Sequence, residues 1–290
     1  MNNIFAKKDA IDKALVEKLN YSQPLYQVVI DAMNYSVSIG GKRVRPCLTM
    51  EFARILKGDM DAAISMACAL EMIHTYSLIH DDLPCMDNDD MRRGMPSCHK
   101  KYGEDMALLA GDGLLTHAFL TASSCKTTSA ENVVKCIEIL SNCAGVNGMI
   151  GGQVIDLLSE DKQVGVDVLL SLNGLKTSKL LEAACMLGCA VSGVDVKYIN
   201  AARDFGFNLG IAFQIVDDIL DIIGDESLLG KPIGSDADNN KSTFVSLLGL
   251  EQAKKEAEDY TNKAIEALEI FGQEANDLRD FANELLNRNH

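Results

Sequence analysis

Along nearly its whole length the chain repeats apolar residues at the i, i+3, i+4 spacing of a helix, and no stretch alternates as a half-buried strand does. The runs cover 9–19, 25–38, 44–56, 61–82, 106–123, 130–142, 166–187, 196–223, 251–271 and 275–287, separated by brief breaks containing Gly, Asn or Asp. Helix without strand leaves one broad architecture, an all-α single-domain bundle, because each apolar stripe has only other helices to cover it. Composition agrees: tryptophan is absent, prolines number five, and the apolar runs are rich in Ala, Leu, Met and Ile. No repeat, low-complexity tract or Pro/Ser-rich linker interrupts the pattern, so 1–290 reads as one domain.

A formal net charge of −15 argues against bulk binding to nucleic acid or to an anionic membrane surface. Nine cysteines, an odd number without a Cys-x-x-Cys pair, fit neither a disulfide framework nor a zinc site. They read as free thiols in a reducing cytoplasm. The N-terminus lacks the plan of a signal peptide. The most apolar stretch, 62–80, contains Glu71 and His74 and reads as a core helix rather than a membrane span.

Two acidic clusters carry the chemistry. The first, Asp81-Asp82-Leu83-Pro84-Cys85-Met86-Asp87, closes an almost wholly apolar helix that Pro84 should break within one turn. Carboxylates gathered at the negative end of a helix suit Mg²⁺, which takes hard oxygen ligands, waters and substrate phosphates. The second is Asp217-Asp218-Ile219-Leu220-Asp221, in which Asp217 and Asp221 share a helix face. Like charges at that spacing repel, and a bound cation offsets them. Either cluster alone reads equally well as an acidic helix end on the surface. Two of them, each closing an apolar helix, favour a metal site.

Cations are clustered too. Gly40-Gly41-Lys42-Arg43-Val44-Arg45-Pro46 sets three beside flexible glycines, a point charge and two forks suited to phosphate oxygens. Alone it would read as a solvated basic turn. His74 lies seven residues before Asp81, on the same helix face.

Asp81 to Asp87 with the following Arg92-Arg93-Gly94 resembles the first aspartate-rich motif of the trans-isoprenyl diphosphate synthases, and Asp217 to Asp221 resembles their second. The resemblance runs from Gly40 to Lys241 with the motifs in family order. It implies three Mg²⁺ ions held by Asp81, Asp82, Asp87, Asp217, Asp218 and Asp221. It implies that Lys42, Arg45, His74 and Arg93 bind isopentenyl diphosphate, and that Arg92, Lys176, Thr177, Gln214, Lys231 and Lys241 bind an allylic diphosphate. Gln153, in Gly151-Gly152-Gln153, is a weaker candidate. Ser178, Asn173 and Phe244-Val245 depart from the usual family residues and put loop detail, not charge, in doubt.

The implied reaction ionises the allylic diphosphate, with Arg92, Lys176 and Lys231 neutralising the leaving group, and joins the cation to isopentenyl diphosphate. The resemblance also implies a homodimer in the cytoplasm. Tyr76, with Ser77, is expected to form the floor under the growing chain and to stop it at C15, farnesyl diphosphate. The two residues Pro84 and Cys85 in the first motif match the bacterial short-chain pattern. Geranyl or geranylgeranyl diphosphate synthesis remains open within the family. A terpene cyclase would not need Lys42 and Arg45, a catalytically dead regulatory subunit would be expected to lose an aspartate motif, and a di-metal oxidase would need a second copy of Glu71-x-x-His74.

Overall fold

The structure, a computed structural model, describes residues 3–160, 162–223 and 242–288. Its helices are α1 (Lys8–Lys18), α2 (Gln27–Ser38), α3 (Val44–Ile55), α4 (Met60–Asp81), α5 (Cys98–Tyr102), α6 (Glu104–Ser123), α7 (Ala130–Ala144) and α8 (Met149–Ser159). They continue with α9 (Val166–Asn173), α10 (Lys179–Val191), α11 (Val196–Ile223), α12 (Phe244–Leu248), α13 (Leu250–Ala267) and α14 (Asn276–Leu286). The sheet among the described residues is one two-residue hairpin, β1 (Met91–Arg92) against β2 (Met95–Pro96), so the all-α reading holds.

Contacts divide the chain into two compact units. One takes in Asn3–Glu138 with Leu187–Gly193, the other Ile139–Met186 with Val194–His290.

In the first unit α4 is the central helix. Asp59 caps it by accepting from the Asp61 and Ala62 amides at 2.9 Å each. Small residues and methionines (Ala62, Ala63, Met66, Ala67, Ala69, Met72) are fully buried around it and let α3 and α6 approach closely. Gly111 of α6 is one such approach: a Cβ there would stand 2.0 Å from Nε2 of His80. Composition and length alone would let two stretches, Met60–Asp81 and Ala130–Ser159, cross a membrane. The first is the buried core of this unit, and the second is broken between α7 and α8 at residues 145–148.

In the second unit α11 packs along α13, and Leu169, Ile211, Ile215, Val216, Ile219, Leu220, Phe244, Ala253 and Ala257 form the core. The single helix expected over 166–187 is instead α9, a π-helical turn at Gly174–Ser178 and α10. The residues flanking the turn, Asn173 and Lys179, keep right-handed helical angles, and no proline marks the break. The run expected over 251–271 ends at Ala267, followed by a 3₁₀ segment with Gly272 at φ +62°.

Candidate active site

Helix α4 stops at Asp81, and the chain folds back at once. The Asp87 amide donates to the Asp81 carbonyl at 2.9 Å, and Asn88, at φ +55°, donates to the Leu83 carbonyl at 3.1 Å. This return brings Asp87 to the helix end that carries Asp81, with Asp81 half-buried and Asp87 exposed. Asp82 is different. It is 2% exposed, and its carboxylate takes the guanidinium of Arg92, which also reaches Asp89 at 3.3 Å. Burial pushes the Asp82 carboxyl up, against the pull of Arg92.

Around the basic run the structure gathers the remaining first-unit candidates. Lys42 is exposed and Arg45 half-buried, with its Nε buried and unpartnered. The guanidinium of Arg93 lies against Gly41, where a Cβ would stand 2.5 Å from Nη1, and Gly41 has φ +142°. That φ favours glycine, and a side chain there would also push the Arg93 guanidinium away. His74 is held neutral, its pKa well below the ordinary histidine value, by burial and then by Arg45, Arg93, Arg43 and Arg92. Four arginines acting on one imidazole make this a strongly cationic corner. Arg43, part of the basic run but outside the expected site, is buried and bonded to Asp12 and Glu71.

Tyr76 is 6% exposed and stands edge-on to His80, with ring centroids 5.7 Å apart. Burial first and Asp81 second push its hydroxyl up to about 12. His80 is itself within 3.0 Å of the Leu108 carbonyl of α6. Ser77 is half-buried and donates to the His74 carbonyl at 2.9 Å.

In the second unit a pocket of about 180 Å³ is lined by Lys176, Thr177, Gln214 and Asp218, together with Asp156 and Thr243. The π-helical turn presents Lys176 and Thr177, and Gly152 of α8 lets that turn pack close: a Cβ would stand 2.2 Å from the Lys176 amide nitrogen. Lys176 pairs with Asp156. Asp218 is buried and accepts from Gln214 at 3.2 Å and from the Phe244 amide at 2.8 Å, which ties the start of α12 to α11. Asp217 remains at the surface, where Arg288 bonds it. Asp221 is 2% exposed. The Gln153 side-chain nitrogen is buried without a partner. Lys231 and Lys241 lie outside the described residues.

In each cluster, then, the first aspartate is partly exposed and the second is buried. Among the described residues no group of three or more His, Cys, Asp or Glu side chains forms a ready metal cage. The residues missed from the sequence are Asp156, whose signal was only its place after Gln153, and Arg288, whose partner is 71 positions away.

The polyprenyl synthetase family model matches residues 26–283. A geranylgeranyl diphosphate synthase of Cyanophora paradoxa is 42% identical over 289 residues, covering 99% of this chain and 96% of that protein. A farnesyl diphosphate synthase of Geobacillus stearothermophilus is 45% identical over 254 residues, covering 86% and 84%. Among solved structures, the geranyltransferase from Helicobacter pylori complexed with magnesium and isoprenyl diphosphate aligns with a TM-score of 0.84 at 34% identity, covering 98% of this chain and 95% of that one.

Proposed function

Because the chain belongs to the polyprenyl synthetase family and is a trans-prenyltransferase, we propose that it condenses dimethylallyl or geranyl diphosphate with isopentenyl diphosphate, head to tail, to give farnesyl diphosphate and diphosphate. The observation that carries the C15 product is the buried ring of Tyr76, backed by His80, on the helix that ends in Asp81. A chain growing from a diphosphate at Asp81 runs down α4 past Ser77, about one turn below, and meets that ring five residues or about 7.5 Å down.

Asp81, Asp87 and Asp217 are the carboxylates we assign to magnesium; Asp82 and Asp218 hold the groups around them. Magnesium supplies charge neutralisation for the departing diphosphate. Arg92 and Lys176 add fixed positive charge to that leaving group, with Lys231 and Lys241 assigned by resemblance alone. Lys42, Arg45, Arg93 and neutral His74 orient isopentenyl diphosphate so that its double bond faces the allylic carbon. The whole of 1–290 acts as one synthase domain, in the cytoplasm, as a homodimer of near 63 kDa, twice the 31.5 kDa chain.

A geranylgeranyl product is the second reading, favoured by 42% identity over nearly the full chain to a geranylgeranyl synthase and by the small Ser77 beside Tyr76. Incubating the protein with labelled isopentenyl diphosphate and each allylic primer, then sizing the dephosphorylated alcohols, separates the two. A dominant C15 alcohol is expected. A dominant C20 alcohol overturns the farnesyl assignment in favour of the second reading.

A further inference from the structure

Arg43 stands between two candidate phosphate-binding residues but is not placed like either. Lys42 is exposed and Arg45 half-buried, whereas Arg43 is 5% exposed. Its guanidinium is held by three protein acceptors: Nε donates to Asp12 at 2.7 Å, Nη1 to Glu71 at 2.7 Å and Nη2 to the Val37 carbonyl at 2.6 Å. Those acceptors sit on α1, α4 and α2, so one side chain ties the basic run to three helices.

Arg43 is also the N-cap residue just before α3, and its backbone is left-handed at φ 52°, ψ 36°. A non-glycine residue keeps that conformation only where its surroundings impose it. The clamp on its guanidinium is such an imposition. The turn it fixes carries Lys42 and Gly41 on one side and Arg45 on the other, and Gly41 is where Arg93 packs. Glu71, 3% exposed, supplies the buried negative charge that lets the cations gather.

We propose that Arg43 is a positioning residue for isopentenyl diphosphate: clamped by Glu71 and Asp12, it makes no contact with the diphosphate and sets the turn that presents Lys42, Arg45 and Arg93 to it. This rests on the reading of those three residues as the isopentenyl diphosphate site. Three hydrogen bonds to protein already engage every nitrogen of its guanidinium, whereas the Nε of Arg45 is buried with no protein partner.

The test must separate positioning from stability, because removing Arg43 alone strands Glu71 as a buried unpaired charge. The double variant Arg43→Met/Glu71→Met removes both charges at similar volume, and Arg43→Lys keeps the charge but not the fork, so it serves if the double variant does not fold. Steady-state constants are measured for both substrates on variants whose thermal midpoint matches the parent, with Arg45→Ala alongside. The expected result is a KM for isopentenyl diphosphate raised about tenfold, because the shifted turn weakens the charge-assisted contacts of Lys42, Arg45 and Arg93, with KM for geranyl diphosphate within about twofold of the parent. A folded variant with the parental KM for isopentenyl diphosphate overturns the proposal, as does an equal rise for both substrates. An Arg45→Ala protein with unchanged KM overturns the underlying site reading instead.

Discussion

Arg288, near the C-terminus, bonds the carboxylate of Asp217, the one aspartate of the second cluster that faces outward. The arginine is well anchored: its guanidinium carbon lies 4.3 Å from the ring centre of Phe213 and it donates to the Phe213 carbonyl at 3.3 Å. The guanidinium bonds the carboxylate proposed for magnesium, so the two should compete for it.

Replacing Arg288 with Ala should accordingly lower the magnesium concentration needed for half-maximal rate. A partly exposed pair is worth about 0.5–1 kcal/mol, so the expected shift is roughly two- to fivefold. A magnesium titration at saturating substrates measures it, and an unchanged or raised requirement counts against competition. Asp217→Ala, by contrast, should abolish turnover at every magnesium concentration.

Adjacent aspartates in the first cluster should behave as different kinds of residue. Asp81→Ala should remove turnover and, because Asp81 is only half-buried, cost less unfolding free energy in urea than Asp82→Ala. Asp82→Ala leaves Arg92 without its buried partner and should cost about 2–4 kcal/mol, toward the lower part of the usual range because Arg92 keeps Asp89 and some solvent. Equal stability losses in the two variants would remove the distinction.

Those two residues also show what the sequence could and could not convey. Periodicity located the helices and the breaker after Asp82, since both are local. It could not tell Asp81 from Asp82, because the difference lies in which one turns toward Arg92, ten positions on. Arg43 reads in sequence as one more cation in a basic turn; its burial depends on Asp12 and Glu71, 31 and 28 positions away. The π-turn before Lys179 was invisible for another reason: no proline marks it, and the backbone stays right-handed on both sides.

Folding should depend on pH through His74. Its folded pKa is depressed, so the folded state stays neutral where the unfolded chain, with an ordinary value near 6.5, takes up a proton. Below about pH 6.5 the unfolded state therefore binds more protons, and stability falls as pH falls. His74→Asn should lose this dependence, gaining on the order of 1 kcal/mol relative to the parent between pH 6.5 and 5. Parallel stability curves for the two proteins would show that His74 is not the titrating group.

Thiol chemistry should sort the nine cysteines sharply. Seven are buried, and burial pushes Cys47, Cys68, Cys136 and Cys143 up to about 12, where almost no thiolate exists at neutral pH. Cys85 is exposed and Cys125 half-exposed. Native protein should react rapidly with an aromatic disulfide reagent at two thiols, rising to nine in denaturant. Cys85 lies between Asp81 and Asp87, so substrate with magnesium should slow one of the two. Fast reaction of four or more would contradict the burial of the core thiols.

Product length tests the floor. Tyr76 faces His80, which is seated on Gly111 of α6, so the ring has solid backing and cannot swing away as a chain lengthens. Its small neighbour Ser77 turns its hydroxyl back to the His74 carbonyl and offers little bulk. If the ring blocks the growing chain, Tyr76→Ala opens the space beneath Asp81, and sizing the alcohols should give C20 and longer products with activity retained. Truncating a buried aromatic also costs about 3–5 kcal/mol, so the assay belongs at low temperature with folding checked by circular dichroism. A residue that merely packs would give less C15 and nothing longer, and that outcome would end its assignment as the floor.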